Sequence, residues 1–148
     1  MHMVTSAFGD IFNNGNIDVV LLNVGEPPSV LLNTNSSPFH RVLFKLVGTK
    51  SNRAAIGARV TIRSGGVKQF SEVHSGASYL SQNDLRLHFG LGTASKMDSV
   101  EIRWPNGTTE SLQNVAGDAV YTIVEGSGIR NSTPLPPPGS AVSVPSTP

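Results

Sequence analysis

Chemistry in this chain would have to come from four histidines, ten acidic residues and its serines, because the 148 residues include no cysteine. His2, His40, His74 and His88 match no zinc-ligand spacing, and no two of them stand at the helical i, i+4 separation. A serine hydrolase needs a nucleophile, a base and an orienting acid. Ser78 or Ser81, His74 or His88, and Asp84 lie close together along the chain. However, Gly76-Ala77-Ser78-Tyr79-Leu80 lacks the second glycine of a nucleophile elbow, and no strand-to-helix context follows. The acids are scattered singly, so no carboxylate pair for glycoside hydrolysis is visible. Gly90-Leu91-Gly92 has the glycines of a phosphate loop without a helix after it, and reads as a tight turn. The expectation is that the chain is not an enzyme.

Two polar segments remain. Arg53 carries a planar guanidinium that can grip a carboxylate at two points, and Asp84 is a candidate partner. Such a pair would lock Ser51-Asn52-Arg53 to Ser81-Gln82-Asn83-Asp84. The other reading of these segments is a binding surface made by Asn52, Arg53, Tyr79, Gln82 and Asp84.

Short strands must position these residues. Val19 to Leu22 is a continuous apolar run, suited to a strand, and Val30-Leu31-Leu32 is a second, shorter one. Val42, Phe44 and Leu46 share one face by period-two alternation. Ala58 to Arg63 alternates with Arg59, Thr61 and Arg63 outward, and Ser64-Gly65-Gly66 makes a hairpin turn back through Val67 to His74. In the next hairpin Val100, Ile102 and Trp104 face inward. Asn106-Gly107 predicts a type I′ turn before a return strand over Thr108 to Leu112. Val120 to Val124 is the last strand expected. No segment of ten or more residues has helical periodicity. The fold class is therefore all-β, an antiparallel sandwich or barrel of about seven to nine short strands with a Pro-rich C-terminal tail. Val42, Phe44, Leu46, Val60, Ile62, Phe89, Val100, Ile102 and Trp104 are expected to be buried together.

Bulk properties narrow the partners. Eleven basic and ten acidic residues give a net charge of +1, which provides no electrostatic footprint for nucleic acid or an anionic membrane. No apolar run approaches the ~20 residues a bilayer span requires, so membrane insertion is not expected. Six of the ten prolines fall in Thr133 to Pro148, so residues 127–148 read as a linker or stalk in extended conformation. Met1-His2-Met3 reads as a cloning remnant. No basic start followed by an apolar stretch is present, so the expectation is a fragment whose export signal would lie upstream.

Three blocks carry a family resemblance: Ser51-Asn52-Arg53-Ala54-Ala55-Ile56-Gly57-Ala58-Arg59-Val60, then Ser75-Gly76 through Tyr79-Leu80-Ser81-Gln82 to His88-Phe89-Gly90-Leu91-Gly92, then Val100-Glu101-Ile102-Arg103-Trp104-Pro105-Asn106-Gly107. Together, over residues 37–126, they resemble the ASPIC/UnbV domain, the C-terminal module of cartilage-acidic-protein-like and related bacterial secreted proteins. The resemblance implies a non-catalytic extracellular or periplasmic interaction module, with a protein or carbohydrate partner. Alternatives are a structural cap on a β-propeller and an accessory glycan-binding module of a secreted enzyme. Within residues 4–36, Gly9-Asp10-Ile11-Phe12-Asn13-Asn14-Gly15-Asn16-Ile17-Asp18 resembles the FG-GAP/VCBS repeat of integrin-like propellers. That likeness implies an upstream propeller domain in the same protein. It also implies a calcium loop with Asp10, Asn14 and Asp18 at ligand positions, Asn16 adding a carbonyl and Gly15 at the bend. Phe12 stands where the family has a further oxygen donor. With two carboxylates left, the loop either binds calcium weakly or holds its shape by side-chain bonds to its own backbone.

Overall fold

The computed structural model describes residues 3–141, and they form eleven strands and no helix. Strands β1 (Met3–Gly9), β2 (Asp18–Asn23) and β3 (Ser29–Leu31) make a small antiparallel sheet, A, in that order. Strands β4 (His40–Val47), β7 (Leu87–Gly92), β10 (Ala119–Val124) and β11 (Gly128–Pro134) form sheet B in the order β11-β10-β4-β7. Its β4–β10 pair is parallel. Strands β5 (Arg59–Ser64), β6 (Val67–Glu72), β8 (Lys96–Arg103) and β9 (Thr109–Ala116) form sheet C in the order β6-β5-β8-β9.

Alternation dictates how B and C meet. Val42, Phe44, Leu46 and Phe89 from sheet B face Val60, Ile62, Val100, Ile102 and Trp104 from the C side, and all nine join one buried cluster, as the sequence pattern requires. Phe44 sits at its middle, edge-on to Phe89 at 5.9 Å and stacked on Tyr121 at 6.0 Å between ring centroids. Burial pushes the Tyr121 hydroxyl above its ordinary pKa, and that hydroxyl donates to the Ala116 carbonyl at 2.9 Å.

The turns follow residue chemistry, with one correction. Gly65 and Gly66 both take positive φ, giving the expected two-residue hairpin. At Asn106-Gly107 only the glycine does, with φ 88°. Gly107 N–H donates to the Trp104 carbonyl at 2.9 Å, which makes a tight turn with Pro105 at its second position and Gly107 left-handed at its end. Proline's fixed φ suits the first central position of a type I turn, so the type I′ expectation yields to it. The Asn106 side chain is thereby freed for a contact described next.

Glu125 stands just after β10, buried at 4% exposure. Its Oε2 accepts the backbone N–H groups of Thr49, Lys50 and Ser51 at 2.8, 2.9 and 2.8 Å. Its Oε1 accepts the Ser51 hydroxyl at 2.9 Å and Asn106 Nδ2 at 2.7 Å. Successive amides converging in this way form an anion-binding nest. Burial pushes the carboxyl's pKa up, but the bonds from Ser51, Thr49 and Lys50 outweigh it and hold the pKa down at about 2. The loop that makes the nest is tight: a Cβ at Gly48 would collide with the Asn52 carbonyl oxygen.

The C-terminal segment departs from the linker expected over 127–148. Gly128–Pro134 is a strand paired with β10, and Leu135 is buried with its N–H on the Asp118 carbonyl at 2.8 Å. The unpaired edge of β10 needs a partner, and Gly128, at φ 66°, lets the chain turn back to supply one. Pro145 and Pro148 lie outside the described residues, as does most of the presumed cloning remnant, Met1 and His2.

A pH experiment tests the nest. Because the ionised form is the bound form, Glu125 stabilises the fold fully above its ordinary value of 4.5, and this is lost as pH falls toward about 2. Urea midpoints of the native protein should therefore drop more steeply across that window than those of Glu125→Gln, which should already be less stable at neutral pH. Parallel curves would show that the nest contributes nothing.

Candidate interaction site around Asp84 and Arg86

The β1–β2 loop is docked on the outer face of sheet B. Alternation sends Arg41 and Leu43 of β4 and His88 of β7 to that face. Arg41 Nη2 donates to the Asn14 carbonyl at 2.6 Å, and His88 Nε2 donates to that of Gly15 at 2.8 Å. Arg86, just before β7, donates to Asn13 Oδ1 at 2.6 Å and to the Asp10 carbonyl at 2.8 Å. Gly15 is required here, since a Cβ would run into the Arg41 guanidinium. Leu43 is buried on this face, outside the core cluster. Farther along, Asp84 N–H bonds the Phe8 carbonyl at 2.8 Å, and Phe8 N–H bonds Asn83 Oδ1 at 3.0 Å.

The predicted calcium residues form a self-bonded turn. Asp10 accepts the N–H groups of Asn14 and Gly15 at 3.0 and 2.8 Å. Asp18 accepts those of Ile11 and Asn33 at 3.1 and 2.9 Å. Asn14 Oδ1 accepts Asn16 N–H at 2.9 Å, and the Asn16 amide donates to the carbonyls of Asn33 and Asn35. These side chains fit a calcium cage poorly, because two guanidiniums already hold loop carbonyls and the loop carries only two carboxylates, each already accepting two backbone N–H groups. Side-chain bonds to the loop's own backbone and to Asn33 and Asn35 hold its shape.

Of the other predicted residues, the structure gathers some and separates one pair. Arg53 and Asp84 line one cleft of about 490 Å³, together with Lys45, Leu85, Arg86 and Val120, but they do not pair. Asp84 instead binds Arg86, with Nε to Oδ2 at 2.7 Å and Nη2 to Oδ2 at 2.5 Å. Arg86 wins because it stands two residues away and satisfies Asp84, Asn13 and the Asp10 carbonyl from one guanidinium. Arg53 is exposed at the cleft and makes no ion pair among the described residues. Asn52 is spent on its own loop, accepting from Ile56 N–H and donating to the Ile56 carbonyl, both at 2.9 Å. Gln82 staples the segment after β6: Oε1 accepts Gly76 N–H at 2.6 Å while Nε2 donates to the carbonyls of His74 and Asn83.

The stapled loop projects two apolar side chains. Tyr79 is 68% exposed and Leu80 84% exposed, and Leu80 has φ 51°. A left-handed non-glycine residue stores backbone strain, here at the loop's most exposed point. Among the described residues no serine hydroxyl is bonded to a histidine ring. The close His40–Asp118 contact, 2.6 Å from Nδ1 to Oδ2, ties β4 to the turn before β10.

The Gly48–Arg53 loop, Asn106 and Glu125 all fall within residues 48–130, the span matched by the family model described as ASPIC and UnbV. The chain belongs to the ASPIC and UnbV family. The match begins after β4 and ends inside β11, so it takes in sheet C whole and leaves sheet A outside. A comparison with curated proteins gives no match. Within the ASPIC and UnbV span the sequence pattern did not point to Glu125 or Arg86. Each acts on backbone or carboxylate groups distant in sequence or already assigned elsewhere.

A double-mutant cycle tests the hub. Arg86→Ala should cost about 1–3 kcal/mol, since it strands a partly buried carboxylate and a loop carbonyl. Arg86 and Asp84 should show clear coupling, whereas Arg53→Ala should be within about 0.5 kcal/mol of neutral and additive with Asp84→Ala. Coupling of Arg53 to Asp84 would reverse the assignment.

Proposed function

We propose that this chain is a non-catalytic interaction module of a larger extracellular or periplasmic protein, with Tyr79 and Leu80 as its contact anchors. What supports this is the display of an aromatic–aliphatic pair on a loop stapled from within by Gln82. A rigid loop gives up little conformational freedom on binding, and an aromatic that fills a partner's pocket is a common hot spot. The partner is a protein surface with an apolar pocket of matching size.

A second reading, a structural cap on an upstream propeller, is favoured by sheet A. Phe8 and Leu31 are exposed on one of its faces and Leu22 and Val30 on the other. Three short strands bare on both sides are too little for independent stability. The FG-GAP/VCBS likeness of the Asp10–Asp18 loop belongs to this reading.

Photo-crosslinkers at positions 79 and 30 of the parent protein separate the two. The interaction reading expects discrete intermolecular adducts from position 79 that disappear with Leu80→Ser. The cap reading expects adducts from position 30 within the same chain. No adduct from 79 beyond that of a control at Thr109 would defeat the interaction reading.

Calcium belongs to the proposal only as a weak site at Asp10, Asn14, Asn16 and Asp18, in the millimolar class of extracellular modules. Titration calorimetry should detect no submicromolar binding by the native chain. Phe12→Asp should tighten whatever binding exists by adding a third carboxylate. Submicromolar affinity in the native chain would contradict this.

A further inference from the structure

The outer face of sheet C has a composition that solvation alone does not require. Period-two alternation and the strand register put Arg59, Thr61 and Arg63 of β5 on this face. Opposite them on β6 are Glu72, Phe70 and Lys68. Arg103 and Glu101 of β8 flank the other side. Four cationic side chains against two carboxylates leave a surplus of two positive charges here, more than the whole chain's net +1. Phe70 is 64% exposed in the middle of a polar row. The Arg59 guanidinium lies 5.0 Å from its ring centroid and is itself paired with Glu72, so ring and cation are held in place. Arg63, Lys68 and Arg103 make no ion pair among the described residues. A cleft of about 150 Å³ opens at the Arg59–Arg103 end, between Gly57 and Pro105.

From this arrangement we propose that the outer face of sheet C binds a linear acidic polysaccharide carrying uronate carboxylates. The apolar C–H face of a sugar stacks on the part of the Phe70 ring that Arg59 leaves exposed. One carboxylate is gripped at the cleft by Arg103, which makes no ion pair among the described residues, beside the Arg59–Glu72 pair that lines the same cleft. A second meets Arg63 and Lys68, four residues along β5 and so about 13 Å away. Hydroxyls of the sugars between them face Thr61 and Glu101, which supply a donor and acceptors. A peptide would instead add to the free edge of β6 through its backbone, using none of the outward side chains. The surplus of two charges is too small for the phosphate density of nucleic acid. This site is separate from the Tyr79–Leu80 loop, and either can fail without the other.

The test is calorimetry on the full chain with oligomers of galacturonate, alginate and hyaluronan, with cellohexaose as neutral control and poly-L-glutamate as polyanion control. Binding to at least one uronate oligomer is expected, weakening as salt rises. Phe70→Ala should reduce it by roughly tenfold while Phe70→Tyr retains it, as expected for an aromatic anchor. Arg103→Ala should also weaken it and flatten its salt dependence. Both residues are exposed, so an unchanged melting temperature checks that the variants are folded. Failure to bind any uronate oligomer would overturn the proposal. Equal binding of cellohexaose or poly-L-glutamate, or no effect of Phe70→Ala, would do so as well.

Discussion

The Glu125 carboxylate, sunk in a ring of amides, governs the geometry of one end of the sandwich. Its three backbone donors come from the β4–β5 loop, its amide donor from the β8–β9 turn, and its own backbone from the end of β10. Sheets B and C are otherwise joined at this end by apolar packing, which is non-directional, and by the bond from Gly126 N–H to Glu110 Oε1 at 2.6 Å. Hydrogen bonds to a charged acceptor fix orientation as well as adding stability. The surrounding chain is shaped to permit them, through Gly48 against the Asn52 carbonyl and a type I turn that frees Asn106. An unpaired carboxylate at this depth would be costly, so nest and acid depend on each other.

A second set of polar contacts works on the opposite side of sheet B. Arg41, Arg86 and His88 do not stabilise the core; they hold a loop whose backbone carbonyls would otherwise lack partners. This explains how a three-stranded sheet with bare apolar faces stays attached. Arg41 also reaches the Pro136 carbonyl at 3.1 Å, so the N-terminal loop and the C-terminal segment meet at one guanidinium. Arg41 Nε is left buried without an acceptor, which fits a side chain wedged over Gly15.

How much could be read beforehand depended on how local each signal was. Alternation in Val42–Leu46, Ala58–Arg63 and Val100–Trp104 is a property of single strands, and the core it implied is the core found. The Gly65-Gly66 turn was equally local. By contrast, β11 lay hidden because Arg130 to Thr133 is polar on both faces and is ordered by pairing with β10, not by its own pattern. The Arg53–Asp84 pairing failed for a similar reason. Charge complementarity was correct for Asp84, but sequence cannot rank Arg86 above Arg53 without knowing that Asn13 and the Asp10 carbonyl stand within the same reach. Phe70 could have been noticed, since strict alternation from Val67 onward puts an aromatic ring opposite the outward Thr61. The Asp10–Asp18 loop was legible as a shape, whereas its bonds to Asn33 and Asn35 join segments that no local pattern links.

The most direct test of this account is the ionisation of Glu125 itself. A carbon-13 NMR titration of the side-chain carboxyl in the folded protein should give a pKa of about 2, with the Thr49, Lys50 and Ser51 amide protons shifting at that same pH. A carboxyl that titrates at the ordinary value of 4.5, with those amides unmoved, would show that the nest does not hold it and that this end of the sandwich is closed by something else.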